Sequence, residues 1–108
     1  MFNLSMACDT TGITAMGETE VVPALIVKRF GPPAKGDGYK VSGEYVFVDV
    51  NGEPFVVHDW KSRSLWDKSF PSPEEFWAYL EPAELVISSH DLDTGEFEKW
   101  FLQQLREV

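Results

Sequence analysis

The 108-residue sequence predicts an α+β fold, a small and mostly antiparallel sheet with helices packed on one face. Three observations carry that expectation. Residues 39–61 place apolar side chains at every second position along one face, and on the other face only near Asn51-Gly52, the pattern of a β-hairpin. Two later segments open on helix-start signatures, Ser72-Pro73-Glu74-Glu75 and Asp93-Thr94-Gly95-Glu96, and run on into apolar faces. Strands and helices are interspersed along the chain in the order β-α-β-β-α-β-α. Residues 1–108 suit one core and one domain, and 44% apolar with 14% aromatic content is enough to fill that core.

Taken in order, residues 1–7 read as a short strand and residues 9–12 as a turn. Residues 18–30 fit two templates. Val21, Val22, Leu25, Ile26 and Phe30 form a helical stripe, with Thr19 as its cap and Pro23 in the first turn. The β-branched run Val21, Val22, Ile26 and Val27 suits a strand as well; the stripe favours helix. Gly31-Pro32-Pro33 ends the element, and residues 32–38 form a loop.

A two-residue turn at Asn51-Gly52 pairs Val48 with Phe55, Phe47 with Val56, Val46 with Val57, Tyr45 with His58, Glu44 with Asp59 and Gly43 with Trp60. One face then carries Tyr39, Val41, Tyr45, Phe47, Val56 and Trp60; the other carries Val46, Val48, Val50, Phe55 and Val57 before turning polar. Trp60 covers the gap left by Gly43. Pro54 lacks a ladder donor, which points to an edge strand or a bulge, allows the register to slip by one residue, and makes a homodimer compatible with the sequence. Residues 62–70 read as loop with a strand stub at Ser64-Leu65-Trp66. In the first capped helix, ending before Pro82, the apolar face is Phe76, Trp77 and Leu80; a strand follows at Leu85-Val86-Ile87. The last helix carries Phe97, Trp100, Phe101, Leu105 and Val108 on one side.

Charge restricts the function classes. The net charge is −9, and residues 67–108 hold ten acids against Lys68, Lys99 and Arg106, so −7 of it resides there. Direct nucleic-acid binding and attachment to an anionic membrane both need cations, so neither is expected. Two readings of the acidic region stand: a solvated face, or a surface that docks on a basic partner through Glu74, Glu75, Glu96 and Glu98. Trp66, in a loop between Arg63 and Lys68, is an interface anchor or a lid over the sheet. The start of the chain shows no signal peptide and no membrane span, and Cys8 has no partner cysteine, so the expected compartment is the cytoplasm.

No residue set amounts to a catalytic signature, and no cofactor or metal is expected. Glu44 opposite Asp59 would share a proton or a divalent ion, or be two rim carboxylates splayed to solvent. His58 and His90, with Cys8, lack ligand spacing, and His58 suits a half-buried sheet position. Residues 90–96 resemble a calcium loop only in part, since the third acid before the Gly and the distal Glu at proper spacing are missing, and Asp93 reads as a helix cap. The glycine-rich residues 31–40 precede a strand, unlike a phosphate loop; with the many aromatics they leave a nucleotide-sequestering module as an alternative function.

The motifs Phe30-Gly31-x-Pro33, Asp37-Gly38-Tyr39-Lys40-Val41, Tyr45-x-Phe47, Asp59-Trp60-Lys61, Phe76-Trp77, Leu85-Val86-Ile87 and Phe97-x-x-Trp100 together resemble a family of small tailed-bacteriophage proteins. The resemblance begins near residue 19. It departs at Ser88-Ser89, where the family pattern has Gly-Gly, so a loop role for those glycines does not carry over. The resemblance implies a host bacterial cytoplasm as the setting. It also implies a non-catalytic acidic protein that binds and inhibits or modulates a host or anti-phage defence protein.

Overall fold

The computed structural model describes residues 1–36, 41–60 and 68–108. Six strands form one antiparallel sheet: β1 (Asn3–Leu4), β2 (Thr14–Val21), β3 (Ala34–Lys35), β4 (Gly43–Val48), β5 (Pro54–His58) and β6 (Ala83–Ser89). Three helices accompany it: α1 (Pro23–Phe30), α2 (Pro73–Trp77) and α3 (Gly95–Arg106). The path across the sheet is β1-β4-β5-β6-β2, and β3 lies beside β4 on the same side as β1.

The hairpin of β4 and β5 forms one residue out of the expected register. Glu44 pairs with His58, Tyr45 with Val57, Val46 with Val56 and Phe47 with Phe55. The cause is Asp49. Its backbone carbonyl accepts from Gly52 N at 3.0 Å, and its own N–H donates to Glu53 O. Its carboxylate Oδ1 accepts from Asn51 N at 2.8 Å and Glu53 N at 3.0 Å. These bonds begin the turn one residue early and close a three-residue loop, with Gly52 alone in it at positive φ (78°). A two-residue type I′ turn would need positive φ at Asn51 too.

A one-residue slip exchanges faces. Tyr45, Phe47, Phe55 and Val57 therefore share the core, while Val56 moves to the opposite face beside Val46. The expected cover of Gly43 by Trp60 is replaced: the space where a Cβ would stand is met by Trp77 Nε1 and Pro33, each at 3.0 Å. Trp60 is 47% exposed on the other side. The expected edge position of Pro54 also fails. β5 is an inner strand, and Pro54 is tolerated because it is the strand's first residue.

The helical stripe expected over residues 18–30 divides in two. Thr19 and Val21 point inward from β2 and pair with Leu85 and Ala83, so Thr19 caps nothing. The helix starts at Pro23, after Val22. Strand pairing along the whole of β6 outweighs the weak helical preference of a β-branched run. The capping box of α2 forms as expected: Glu75 N donates to Ser72 Oγ, and Ser72 N to Glu75 Oε1, each at 3.1 Å. This helix ends at Trp77, earlier than expected, and leaves Leu80 exposed. Its exit lets Tyr79 O accept Ala24 N at 3.0 Å, one of the donors that a helix start leaves without an internal partner. At α3 the N-cap is Thr94, without a side-chain cap hydrogen bond, so the expected capping box of Asp93 and Glu96 does not form; Asp93, one residue earlier, instead accepts Gly95 N on Oδ1 at 2.7 Å. Val108 lies outside that helix and is exposed.

All three helices feed one core on one face of the sheet. Ile26, Phe76, Trp77, Phe97, Phe101 and Leu105 meet Tyr45, Phe47, Phe55, Val57, Leu85 and Ile87 there. Phe47 is its centre, with Phe30, Phe97, Trp100 and Phe101 within 5.1–5.7 Å of its ring. Tyr45 donates from its hydroxyl to Gly31 O at 2.6 Å, and burial pushes its phenol pKa well above the usual value. Among the described residues, no helix is long and apolar enough to cross a membrane.

Candidate functional site: the open face of the sheet

Antiparallel pairing sets side chains in rows across the strands. On the face away from the helices, one row runs Glu44, His58, Val86, Glu18 over β4, β5, β6 and β2. The next runs Val46, Val56, Ser88, Ala15. With strands about 4.8 Å apart, Glu44 and Glu18 stand at opposite ends of a row about 14 Å long. Among the described residues, no helix lies over these rows. They floor a groove of about 880 Å³, walled by Thr10, Ile13 and Met16 at one side and by Val41 and Trp60 at another. A second hollow of about 500 Å³ shares Glu18, Trp60 and Val86 with it and extends toward Phe70 and Tyr79.

His58 is held in one tautomer. Its Nδ1 lies 2.7 Å from Asp59 O, a carbonyl that only accepts, so Nδ1 carries the proton. Nε2 then offers its lone pair to the Ser88 hydroxyl at 3.0 Å. A hydroxyl donating to an imidazole is the arrangement that activates serine nucleophiles. Ser88 is only 4% exposed, however, which leaves its oxygen little room to attack a bulky group. The pair suits hydrogen-bond recognition better than covalent chemistry. Ser89, the neighbour of Ser88, bonds Leu92 N and O.

The groove's other end is acidic. Glu20 pairs directly with Glu84, and Glu18 stands on the same face. The Glu18 charge first of all, then slight desolvation and Glu20, raise the Glu84 pKa above the ordinary carboxylate value. Three carboxylates thus crowd the β2–β6 end of an otherwise apolar surface. The wall at residues 10–13 is tied down by His90. Its Nε2 lies 2.7 Å from Thr11 O and its Nδ1 3.1 Å from Glu53 Oε2. Both partners only accept, so protonated His90 satisfies both, and its pKa is raised by the Thr11 carbonyl and then by Glu53.

The expected Glu44–Asp59 pair does not exist. Glu44 faces the groove, whereas Asp59 is fully buried on the other side. Asp59 Oδ1 accepts from Ser42 N at 2.8 Å and Gly43 N at 3.3 Å, and Oδ2 accepts from Ser42 Oγ–H at 2.6 Å. Trp77 Nε1 donates to the same Ser42 oxygen at 3.3 Å, which joins this network to α2. Among the described residues, no group of three or more His, Cys, Asp or Glu side chains is placed to hold a metal ion.

Trp66, the expected interface anchor, lies outside the described residues, as do Tyr39, Lys40 and Lys61 of the expected hairpin. Glu74 and Glu75 stand in the first turn of α2, and Glu96 and Glu98 in the first turn of α3. Each there faces the positive end of a helix dipole, which gives these acids a structural reason as well. They sit on two helices, on the far side of the sheet from the groove. Glu44 enters the sequence reading only as the expected partner of Asp59; Glu18, which also lines the groove, and the adjoining Glu20 and Glu84 do not stand out in the sequence. The only sequence signal for them is the alternation Glu18-Thr19-Glu20-Val21, which is that of an amphipathic strand. No protein-family model matches the chain, and no curated protein matches it.

Proposed function

We propose that this protein is a non-catalytic binding protein whose open sheet face receives an apolar and basic surface of a protein partner. The observation that carries this is the one-sided sheet. Helices pack on one face, and the other carries a groove with Val56 and Val86 in its floor, Val41 and an exposed tryptophan in its wall, and carboxylates at its ends. Exposed apolar surface joined to an aromatic side chain is the composition of protein interfaces, and the carboxylates select for cations. The resemblance to tailed-bacteriophage proteins would make the partner a host or anti-phage defence protein in the bacterial cytoplasm.

Affinity capture from a bacterial lysate tests this with two charge-reversed variants. One reverses Glu18, Glu44 and Glu84 at the groove; the other reverses Glu74, Glu75, Glu96 and Glu98 on the helices. Loss of a captured protein in the first variant alone supports the groove. Loss in the second alone moves the contact to the helix side, and unchanged capture in both ends the acidic-docking reading.

The groove volume supports a second reading, a small-ligand module. About 880 Å³ lies in the range of pockets that enclose small molecules, and the His58–Ser88 pair would fix a polar group. Glu18 and Glu44 oppose a phosphate, so a neutral or cationic ligand fits better than a nucleotide. Thermal-shift screening with nucleotides and with aromatic cations, at millimolar concentration, decides; no stabilisation by either class would end this reading.

A further inference from the structure

The two edges of the sheet differ. The outer side of β4 is occupied by β1 and β3, whereas β2 ends the sheet at the other side. Among the described residues, the strand backbone of β2 is paired only with β6. Proteins normally guard such an edge with a short strand, a proline, a lysine or repeated bulges. β2 has eight residues, Thr14–Val21, with no proline and no lysine, and a single irregularity between Ala15 and Gly17. What guards it is charge. Glu18 and Glu20 project from the groove-side face, and Glu84 stands directly across from Glu20.

That charge also selects the occupant. A strand laid along β2 places alternate side chains directly opposite Glu18 and Glu20, where opposite charges stabilise and like charges repel. A second copy is disfavoured: antiparallel pairing centred on Thr19 sets Glu18 of each copy against Glu20 of the other. We propose that the free edge of β2 accepts an extended strand of a protein partner that carries lysine or arginine at alternate positions, adding a seventh strand to the sheet. The strand's basic side chains would lie over Glu18, Glu20 and Glu84, and its backbone would satisfy the outward N–H and C=O groups of β2. This rests on the reading of the groove as a surface for a basic partner, and names how that partner docks.

Three capped peptides matched in length to the eight residues of β2 test it, by titration calorimetry and amide-resolved NMR. The first alternates Lys and Val, the second alternates Glu and Val, and the third is the Lys–Val peptide with every second amide N-methylated on the pairing edge. The Lys–Val peptide is expected to bind and to slow exchange of outward β2 amides, while the Glu–Val peptide does not bind. N-methylation is expected to abolish binding. The double variant Glu18→Lys, Glu20→Lys weakens the Lys–Val peptide by more than about tenfold, since two favourable cross-strand pairs become repulsive. Equal binding of the N-methylated peptide would overturn strand addition while leaving an electrostatic contact with the groove intact. Failure of both Lys peptides to bind would overturn strand addition together with the basic-partner reading on which it rests.

Discussion

Replacing Asp59 by alanine removes the acceptor for three donors at the base of the hairpin. Ser42 N, Gly43 N and the Ser42 hydroxyl all donate to its two oxygens, and the carboxylate is fully buried. The hydroxyl can turn elsewhere; the two N–H groups cannot. A buried donor left without a partner costs about 1–3 kcal/mol. Gly43 is buried and Ser42 only half-buried, so water recovers part of the loss at Ser42. The expected destabilisation is about 3–4 kcal/mol, a large share of the roughly 5–15 kcal/mol that holds a domain together. In urea, with m of about 1.5–2 kcal/mol/M, that lowers the midpoint by about 2 M. Asp59→Asn keeps one carbonyl oxygen for both N–H groups and should lose only about 1–2 kcal/mol. An alanine variant within about 1 kcal/mol of the native protein, or an asparagine variant as damaged as the alanine one, would refute this account of Asp59 as a hydrogen-bond hub.

Three further outcomes are expected. Thr19 Oγ1 is buried with no hydrogen-bond partner among the described residues, so Thr19→Val should raise stability by about 1 kcal/mol, seen as a higher urea midpoint at unchanged m. Gly52→Ala should cost about 1–2 kcal/mol because Gly52 holds positive φ, whereas Asn51→Ala should cost far less; equal costs would favour a two-residue turn. His90 has its pKa raised above the ordinary 6.5 by Thr11 O, Glu53 and Asp9, so its protonated form favours the fold. That stability is fully present below pH 6.5 and is lost as pH rises through the raised folded value. His90→Gln should flatten this segment of the stability–pH curve, and an unchanged curve would show that the imidazolium clamp contributes nothing.

The elements legible from local signals are those whose cause is local. Ser72 and Glu75 bond each other, so their spacing alone announces α2; at α3 the same spacing of Asp93 and Glu96 locates the helix start to within a residue, although no capping box forms there. The hairpin was legible from alternation, but its register was not. Asn51-Gly52 favours a two-residue turn, and only the reach of the Asp49 side chain to two backbone N–H groups reverses that choice. β2 was hidden because Val21 continues the apolar spacing of α1, and the strand's partner, β6, lies far along the chain. The groove was the least legible feature. Glu44, His58, Val86 and Glu18 come from four strands, and nothing in their spacing shows that they form one row. Two tryptophans illustrate the same limit: Trp77 and not Trp60 fills the space above Gly43, because a one-residue change of register exchanged their faces.

The unequal edges of the sheet set a valence. Open-ended polymers of strands need a free rail on each side of every subunit, so that each can be joined both ahead and behind. Here one rail is cut to β1 and β3, of two residues each, and among the described residues β2 is the long one. A strand that joins at β2 finds no rail of comparable length on the far side from which the ladder could continue. The molecule can therefore present a strand of eight residues, guarded by charge alone, to another chain and still disfavour open-ended polymers of itself.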